Sequence, residues 1–376
     1  AGGGIGGAGP RRVTFTAPSA GATGVSSVAR AARSQSWSAA VGAWSVAAAE
    51  GCPATAAATA AAAERGDGWE RHHRPCSRPP LTLRRAAVGA TSQGPVRRRR
   101  RGDVPERVVQ ADEDAVAAAE KSAAREPCIV AAGSGYFVLF KPCSCLCSPD
   151  DPDVGVARFV QRTLRFPPKE AMCHRLDFGT SGLVLVGTSQ AAADALRRQR
   201  DERSWQKEYV ALMHGFLPEG TERGLLSYRL RTEPKGRGFE TTVDEREGEQ
   251  ALTRFEVRGR FRSRADGCPV TLVSVELVTG RTHQIRVHLR QLSQELGLSP
   301  AGLVGDSRYQ VGASAPCHDQ RLFACASAGA GEALPTRLCL HASALGFEVP
   351  AGAPPRESVR VECEMPRSLR LLVEHG

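Results

Sequence analysis

Apolar and polar positions divide the chain into two unlike stretches. From about residue 127 onward, short apolar runs alternate with turn signals and mixed charge. Tyr136-Phe137-Val138-Leu139-Phe140 is a compact aromatic and apolar run that reads as a strand, ended by Lys141-Pro142. Residues 156–164 have helical spacing, 182–187 read as a buried strand and 191–200 as a helix. Residues 208–213 and 271–278 read as strands, the second with Val273, Val275 and Leu277 alternating. Residues 284–296 read as a helix, and 338–349 hold at least one more strand. Many strands with few interleaved helices predict an α+β fold: a mixed, mostly antiparallel sheet with flanking helices. No internal repeat of solenoid period is present.

Upstream the pattern is lost. Residues 1–101 contain fifteen Arg, no Lys and four acids, amid Ala, Gly and Ser. Residues 54–63 favour helix by composition, but they offer no apolar stripe to bury, so disorder is expected. Residues 111–125 read as a short helical linker. The expected division is a low-complexity leader and linker over 1–125 and one folded domain over 126–376, long enough for a substantial core. The leader's composition fits an organellar transit peptide and equally a translated GC-rich leader without structure. The five arginines at 97–101 read as a nuclear signal, an RNA-binding arm or a solvated linker. Mitochondrion, plastid, cytoplasm and nucleus all stay open. The first Met is Met172, so the sequence is expected to be a fragment, a processed form or a conceptual translation.

Charge and cysteine content narrow the picture little. The net charge of +10 resides in the leader, and the remainder is close to neutral. The position of each Arg within the folded part therefore matters more than the total. Twelve scattered Cys in a chain this long do not suggest a disulfide framework. No apolar run is long enough for a membrane helix, so no membrane association is expected. Monomer is the default.

Three segments carry candidate chemistry. Cys173-His174-Arg175-Leu176-Asp177-Phe178-Gly179-Thr180-Ser181-Gly182 packs polar side chains into a loop just before an apolar strand, a usual place for a site. It reads equally as a structural turn, with Asp177 accepting the hydroxyls of Thr180 or Ser181. Thr279-Gly280-Arg281-Thr282-His283-Gln284-Ile285-Arg286-Val287-His288-Leu289 follows a strand and opens a helix. A basic helix start suits anions such as RNA phosphate, and it reads otherwise as a solvated basic face. His283 and His288 lie five apart with no third ligand nearby, which argues against zinc. Lys207-Glu208-Tyr209-Val210-Ala211 reads as a half-buried strand, on which Tyr209 is by itself a core aromatic.

The ordered set is more specific than its parts. His174-Arg175-Leu176-Asp177 with Thr180-Ser181-Gly182 resembles the catalytic-aspartate motif of the RluA-type pseudouridine synthases. Residues 279–289 resemble that family's second signature, and Lys207-x-Tyr209-x-Ala211 its tyrosine strand. Phe140-Lys141-Pro142 is similar to the opening strand, Gly305-Asp306 with Tyr309 to the segment after the signature helix, and Leu338-x-Leu340-His341-Ala342 to the late strand. The resemblance covers about residues 128–370. Three features depart from it: Phe178-Gly179 stands where a polar pair is common, Cys143, Cys145 and Cys147 follow Lys141-Pro142, and nothing before residue 128 looks like a small RNA-binding domain. Alternating thiols on a strand could hold a soft metal or be small buried side chains.

The resemblance implies an RNA uridine isomerase on the pseudouridine synthase fold, with a central RNA-binding cleft. Its substrate would be a single-stranded or flipped-out uridine in tRNA or rRNA. By the same resemblance Asp177 is the catalytic carboxylate, Arg286 its partner through paired hydrogen bonds with Arg281 as second choice, and Tyr209 the residue stacking on uracil and relaying a proton. Leu289 and Leu340 would be apolar walls. His174, Arg175, Thr180, Arg281 and His283 would contact RNA, Arg175 by filling the vacated stack or holding a phosphate. The isomerisation gains no atom and changes no oxidation state, so no cofactor and no metal are expected. The competing expectation is a catalytically silent RNA-binding protein on the same fold.

Overall fold

The computed structural model describes residues 106–121, 125–236, 238–264, 266–312, 314–350 and 357–375. The leader over 1–101, with its Ala-rich stretch and five arginines, lies outside the described residues.

Among these residues eleven strands join in one sheet. They are β1 (Glu106–Gln110), β2 (Cys128–Gly133), β3 (Tyr136–Lys141), β4 (Ser181–Gly187), β5 (Gln206–His214), β6 (Arg223–Lys235), β7 (Gly238–Val243), β8 (Glu249–Arg262), β9 (Pro269–Leu277), β10 (Leu340–Glu348) and β11 (Ser358–Glu362). The helices are α1 (Glu113–Lys121), α2 (Gly155–Phe159, continued by a π turn over Val160–Leu164), α3 (Pro168–Ala171), α4 (Gln190–Asp201), α5 (Gln284–Glu295), α6 (Ala315–Ala330) and α7 (Arg367–His375). The sheet runs β2-β3-β4-β10-β5-β9-β8-β6-β7, with β11 beside the far part of β10 and β1 beside β11. Pairs are antiparallel except β4 with β10 and β1 with β11. The mixed, mostly antiparallel sheet expected from the apolar pattern is thus the one adopted.

Side-chain alternation divides the core. On β5, Tyr209, Ala211 and Met213 enter one cluster with Ile285, Leu289 and Leu340, while Leu212 enters another with Leu272, Val304 and Phe323. β4 is buried at all seven positions, as its unbroken apolar run requires, and serves a core on each face. β10 joins the two halves: His341 pairs with Ser181 of β4, and Ala342 pairs with both Gly182 of β4 and Tyr209 of β5. This register brings the loop before β4 beside Tyr209. Gly182 permits the approach, because it has φ +122° and a Cβ there would lie 2.3 Å from the Ala342 carbonyl oxygen.

Three features differ from the sequence reading. Ordered structure begins well before residue 126: β1 pairs in register with β11, and α1 buries Val116 and Ala119 in the core. Cys143, Cys145 and Cys147 follow the end of β3 outside any strand, so no pleat puts their thiols on one face. Cys145 and Cys147 are buried in the core instead. The arm β6-β7-β8 was not anticipated at all. No helix of the described residues is long and apolar enough to cross a membrane.

Candidate active site

The loop before β4 is held by its backbone. Asp177 C=O accepts the Thr180 N–H at 3.1 Å and closes the turn. Lys141, fully buried at the end of β3, donates through Nζ to the carbonyls of Pro142 (3.1 Å), Cys145 (2.8 Å) and Phe178 (3.2 Å). Burial pulls the Lys141 ammonium below its ordinary range, and three carbonyls stabilise it in place. Ser181 Oγ is engaged elsewhere, accepting from Arg337 Nη2 at 2.5 Å and facing His341 Nδ1 at 3.0 Å. The turn therefore forms without the Asp177 carboxylate. That side chain is 26% exposed and faces Arg286 Nη1 at 3.4 Å and His283 Nε2 at 3.9 Å.

The opposing wall begins where β9 turns into α5. Gln284 is fully used there. Its Oε1 accepts from Thr279 Oγ1 (2.9 Å) and Arg281 N–H (3.0 Å), and its Nε2 donates to Leu252 O (2.9 Å) and Thr253 Oγ1 (2.8 Å). These bonds fasten the helix start to β8. His283 takes left-handed backbone at φ 55°, which turns its ring toward Tyr309, with Nδ1 2.6 Å from the phenolic oxygen. Tyr309 Oη already accepts the Thr241 N–H at 2.9 Å, so its own proton is free for His283 Nδ1. In that tautomer His283 presents Nε2–H to Asp177. Burial lowers the His283 pKa against the opposing pull of Asp177, which favours the neutral ring this arrangement needs.

The paired grip expected on Asp177 falls on Asp306 instead. Arg286 donates Nε to Asp306 Oδ2 (2.8 Å) and Nη2 to Asp306 Oδ1 (2.7 Å), and gives Asp177 a single longer contact. Its guanidinium also lies 4.8 Å over the Tyr309 ring. Burial opposes the Arg286 charge, but the hydrogen bonds and charge of Asp306, with Asp177 adding, raise its pKa beyond the ordinary range. Asp306 is itself unexposed and accepts the N–H groups of Arg308 and Tyr309 at 3.1 Å each. The sequence motif contained Asp306, but nothing in it showed that the residue orients Arg286.

Between these walls lies a cleft of about 660 Å³. Asp177, Thr180, Tyr209, Arg286 and Leu340 all line it, as do His174, Arg175, Arg281 and His283, so nine of the ten sequence-derived site residues converge on one space. Burial and the charge of Asp177 raise the Tyr209 pKa, which keeps the phenol protonated at neutral pH. His174 also borders the cleft, but its Nε2 accepts the Leu185 N–H at 2.9 Å and its ring meets the Trp205 edge. Burial, with Lys207 and Arg200 nearby, lowers its pKa to about 3, so His174 is a neutral ring committed to β4. Arg175 is exposed at the rim and forms no salt bridge with a described residue. Arg281 pairs with Glu249 rather than Asp177. Leu289 is fully buried in the core, and Ile285, one turn earlier on α5, lines the cleft instead. Arg200 and Lys207 add charge to the rim; Lys207 stood in the quoted tyrosine motif without a role.

The cleft, built on a mixed sheet, sets the basic side chains of Arg175, Arg200, Lys207, Arg281 and Arg286 around Asp177. The family model for RNA pseudouridylate synthase matches residues 135–291, which include both walls of the cleft. The dual-specificity RNA pseudouridine synthase RluA of Pasteurella multocida is 32% identical over 218 residues, 57% of this chain and 84% of that protein. Ribosomal large subunit pseudouridine synthase C of Yersinia pestis is 32% identical over 281 residues, 72% of this chain and 77% of that protein. Synthase D of Neisseria meningitidis is 31% identical over 202 residues, 54% of this chain, which spans only about half (47%) of that relative. A solved structure, human RNA pseudouridylate synthase domain containing 1, matches with 28% identity and TM-score 0.45 over 60% of this chain and 80% of its own. The chain belongs to the RNA pseudouridylate synthase family, and within it to the RluA type.

Proposed function

We propose that this chain isomerises uridine to pseudouridine in RNA, with Asp177 as the catalytic carboxylate. The observation that carries the reading is the Asp177 side chain: accessible from the cleft, not consumed by its own turn, and facing a buried Arg286 that is anchored elsewhere. The reaction breaks the bond between ribose C1′ and uracil N1, turns the base, and forms C1′–C5; C5 gives up its hydrogen as a proton and N1 gains a proton. Atoms and electrons balance within the nucleotide, so the chemistry calls for no cofactor.

The residues divide that work. Asp177 meets the ribose–base linkage as nucleophile or charge stabiliser. Arg286 sets a fixed positive charge beside it in a site that excludes water once the base enters. Tyr209 and Leu340 hold the base as it turns, and the Tyr209 phenol is placed to relay a proton. Thr180 and His283 border the same space, and Arg175, Arg281 and Lys207 hold flanking phosphates. A base stacked in a helix cannot reach Asp177, so the substrate is a single-stranded or flipped-out uridine in rRNA or tRNA. All these groups come from one chain, which suits a monomer.

Tritium release from RNA labelled at uridine C5 tests the reading. The full chain and Asp177→Asn are compared on unmodified tRNA and rRNA. Release by the wild type alone supports the proposal, and the responsive RNA identifies the substrate class. Equal release by both removes Asp177 from the chemistry. No release by a folded, RNA-binding wild type favours the silent binder.

A further inference from the structure

β9 begins far from the cleft. Its last residues lead into the α5 wall, whereas its first residue, Pro269, follows a tight turn out of β8. Nine strand residues separate the two ends by roughly 30 Å. At that turn Asp266 and Cys268 meet His318 of α6. Asp266 Oδ2 lies 2.9 Å and Cys268 Sγ 2.8 Å from the same ring nitrogen, His318 Nδ1, and the three donor atoms all lie within 4.8 Å of one another.

We propose that Asp266, Cys268 and His318 bind a single zinc ion that fastens the β8–β9 turn to α6. One ring nitrogen, His318 Nδ1, faces both partners. A ring nitrogen offers either one proton or one lone pair in its plane. Protonated, it donates to the carboxylate, and the thiol proton turns to that same carboxylate. Unprotonated, it accepts from the thiol and turns its lone pair on a carboxylate. A cation among the three atoms would engage the carboxylate, the sulfur and the ring nitrogen together. Carboxylate oxygen, thiolate sulfur and imidazole nitrogen are zinc's usual donors, and with water in the fourth position they complete a tetrahedron.

The backbone is set for it. Cys268 N–H donates to Asp266 Oδ1 (3.1 Å), Ser263 N–H to Cys268 O (2.8 Å) and Gly267 N–H to Ser263 O (2.8 Å), while Arg262 Nη1 holds Gly267 O (3.1 Å). The Asp266 side chain is 8% exposed and His318 23%, so the cluster is partly sheltered while solvent still reaches it. Zinc–ligand bonds of about 2.0–2.3 Å place sulfur and nitrogen about 3.5 Å apart, so side-chain rotation must part them by about 0.7 Å. On binding, Cys268 releases its thiol proton to solvent, and thiolate plus carboxylate neutralise the dication.

The test uses the full chain, stripped of metal under reducing conditions and titrated with Co²⁺ and then Zn²⁺. One equivalent of cobalt should give the intense visible bands of a tetrahedral ion and a thiolate charge-transfer band, both abolished by one equivalent of zinc. Cys268→Ser should lose the charge-transfer band. His318→Gln and Asp266→Asn should weaken binding at least about tenfold. Cys128→Ser should leave the spectrum unchanged. Zinc should raise the melting temperature of the wild type and not that of Cys268→Ser, and the two metal-free chains should melt alike. Absence of the charge-transfer band, or its persistence in Cys268→Ser, overturns the proposal. Should Cys268→Ser not fold, wild-type affinity in both other variants overturns it equally.

Discussion

Asp306 and Asp177 both face Arg286, on unlike terms. Asp306 is fully enclosed, takes both parallel bonds of the guanidinium and accepts two backbone N–H groups besides. Asp177 is 26% exposed and takes one contact at 3.4 Å. Both are carboxylates beside the same cation, so charge alone does not tell them apart. The difference lies in how much hydrogen-bonding capacity each has left. Asp306 has spent its capacity on holding Arg286, and Asp177 keeps most of its own for whatever enters the cleft.

The comparison is broken most decisively through Asp177. Asp177→Asn should reduce C5 tritium release by at least about a thousandfold, since the reactive group itself is lost. Its stability should change by less than about 1 kcal/mol, because a single long contact at an accessible position contributes little. Asp306→Asn should behave the other way round. Removing one partner of a buried ion pair leaves Arg286 uncompensated and should cost about 3–5 kcal/mol in urea unfolding. Activity should fall with it, because Arg286 then lacks its anchor. Equal stability losses in the two variants would mean that both carboxylates are structural.

Much of this site was legible because its signals are local. β3, β4, β5 and β9 announce themselves as apolar runs or alternation, and the polar cluster at 173–182 sits where a strand begins. Asp306 was visible as a residue but not as a partner, because burial and the choice of ion pair arise only when α5 and the loop after it pack. Ile285 and Leu289 share one helix face, and which of them reaches the cleft depends on how deep α5 sits. The arm β6-β7-β8 escaped because its strands carry charge rather than apolar runs: Leu225 is exposed, Arg231 pairs with Glu247 of the turn before β8, and Lys235 with Glu240 and Arg254 with Glu276 pair across strands. β1 escaped because its partner β11 lies about 250 residues away, a distance no window of sequence spans.

Arg175 sharpens the comparison from the basic side. Arg286 is buried and anchored, whereas Arg175 stands exposed at the rim without a salt bridge to a described residue. Arg175→Ala should leave unfolding unchanged. It should weaken RNA binding severalfold and lower the slope of log K against log salt by about 1, the signature of one lost phosphate contact. An unchanged slope with lower turnover would assign it to the vacated base stack instead.

His288 supplies the remaining case, a polar group that is buried and yet uncommitted. It sits on α5 below the cleft with no exposure, and neither ring nitrogen has a hydrogen-bond partner among the described residues. Burial lowers its pKa to about 4. The unfolded chain, with an ordinary histidine near 6.5, binds a proton that the folded chain refuses until about pH 4. The stability His288 permits is therefore fully present above about pH 6.5 and lost as pH falls toward 4. His288→Leu removes two unsatisfied atoms, worth about 1–3 kcal/mol, and forfeits an edge contact with Tyr228 worth about 1. The variant should be about 1 kcal/mol more stable at pH 7, with a larger advantage at pH 5, read from urea unfolding at both values. His174 and His341, each lowered to about 3 by burial, keep part of the acid lability in place. If His288→Leu destabilises the chain at pH 7, the ring is committed after all, and spare hydrogen-bonding capacity would no longer separate Asp177 from the structural residues around it.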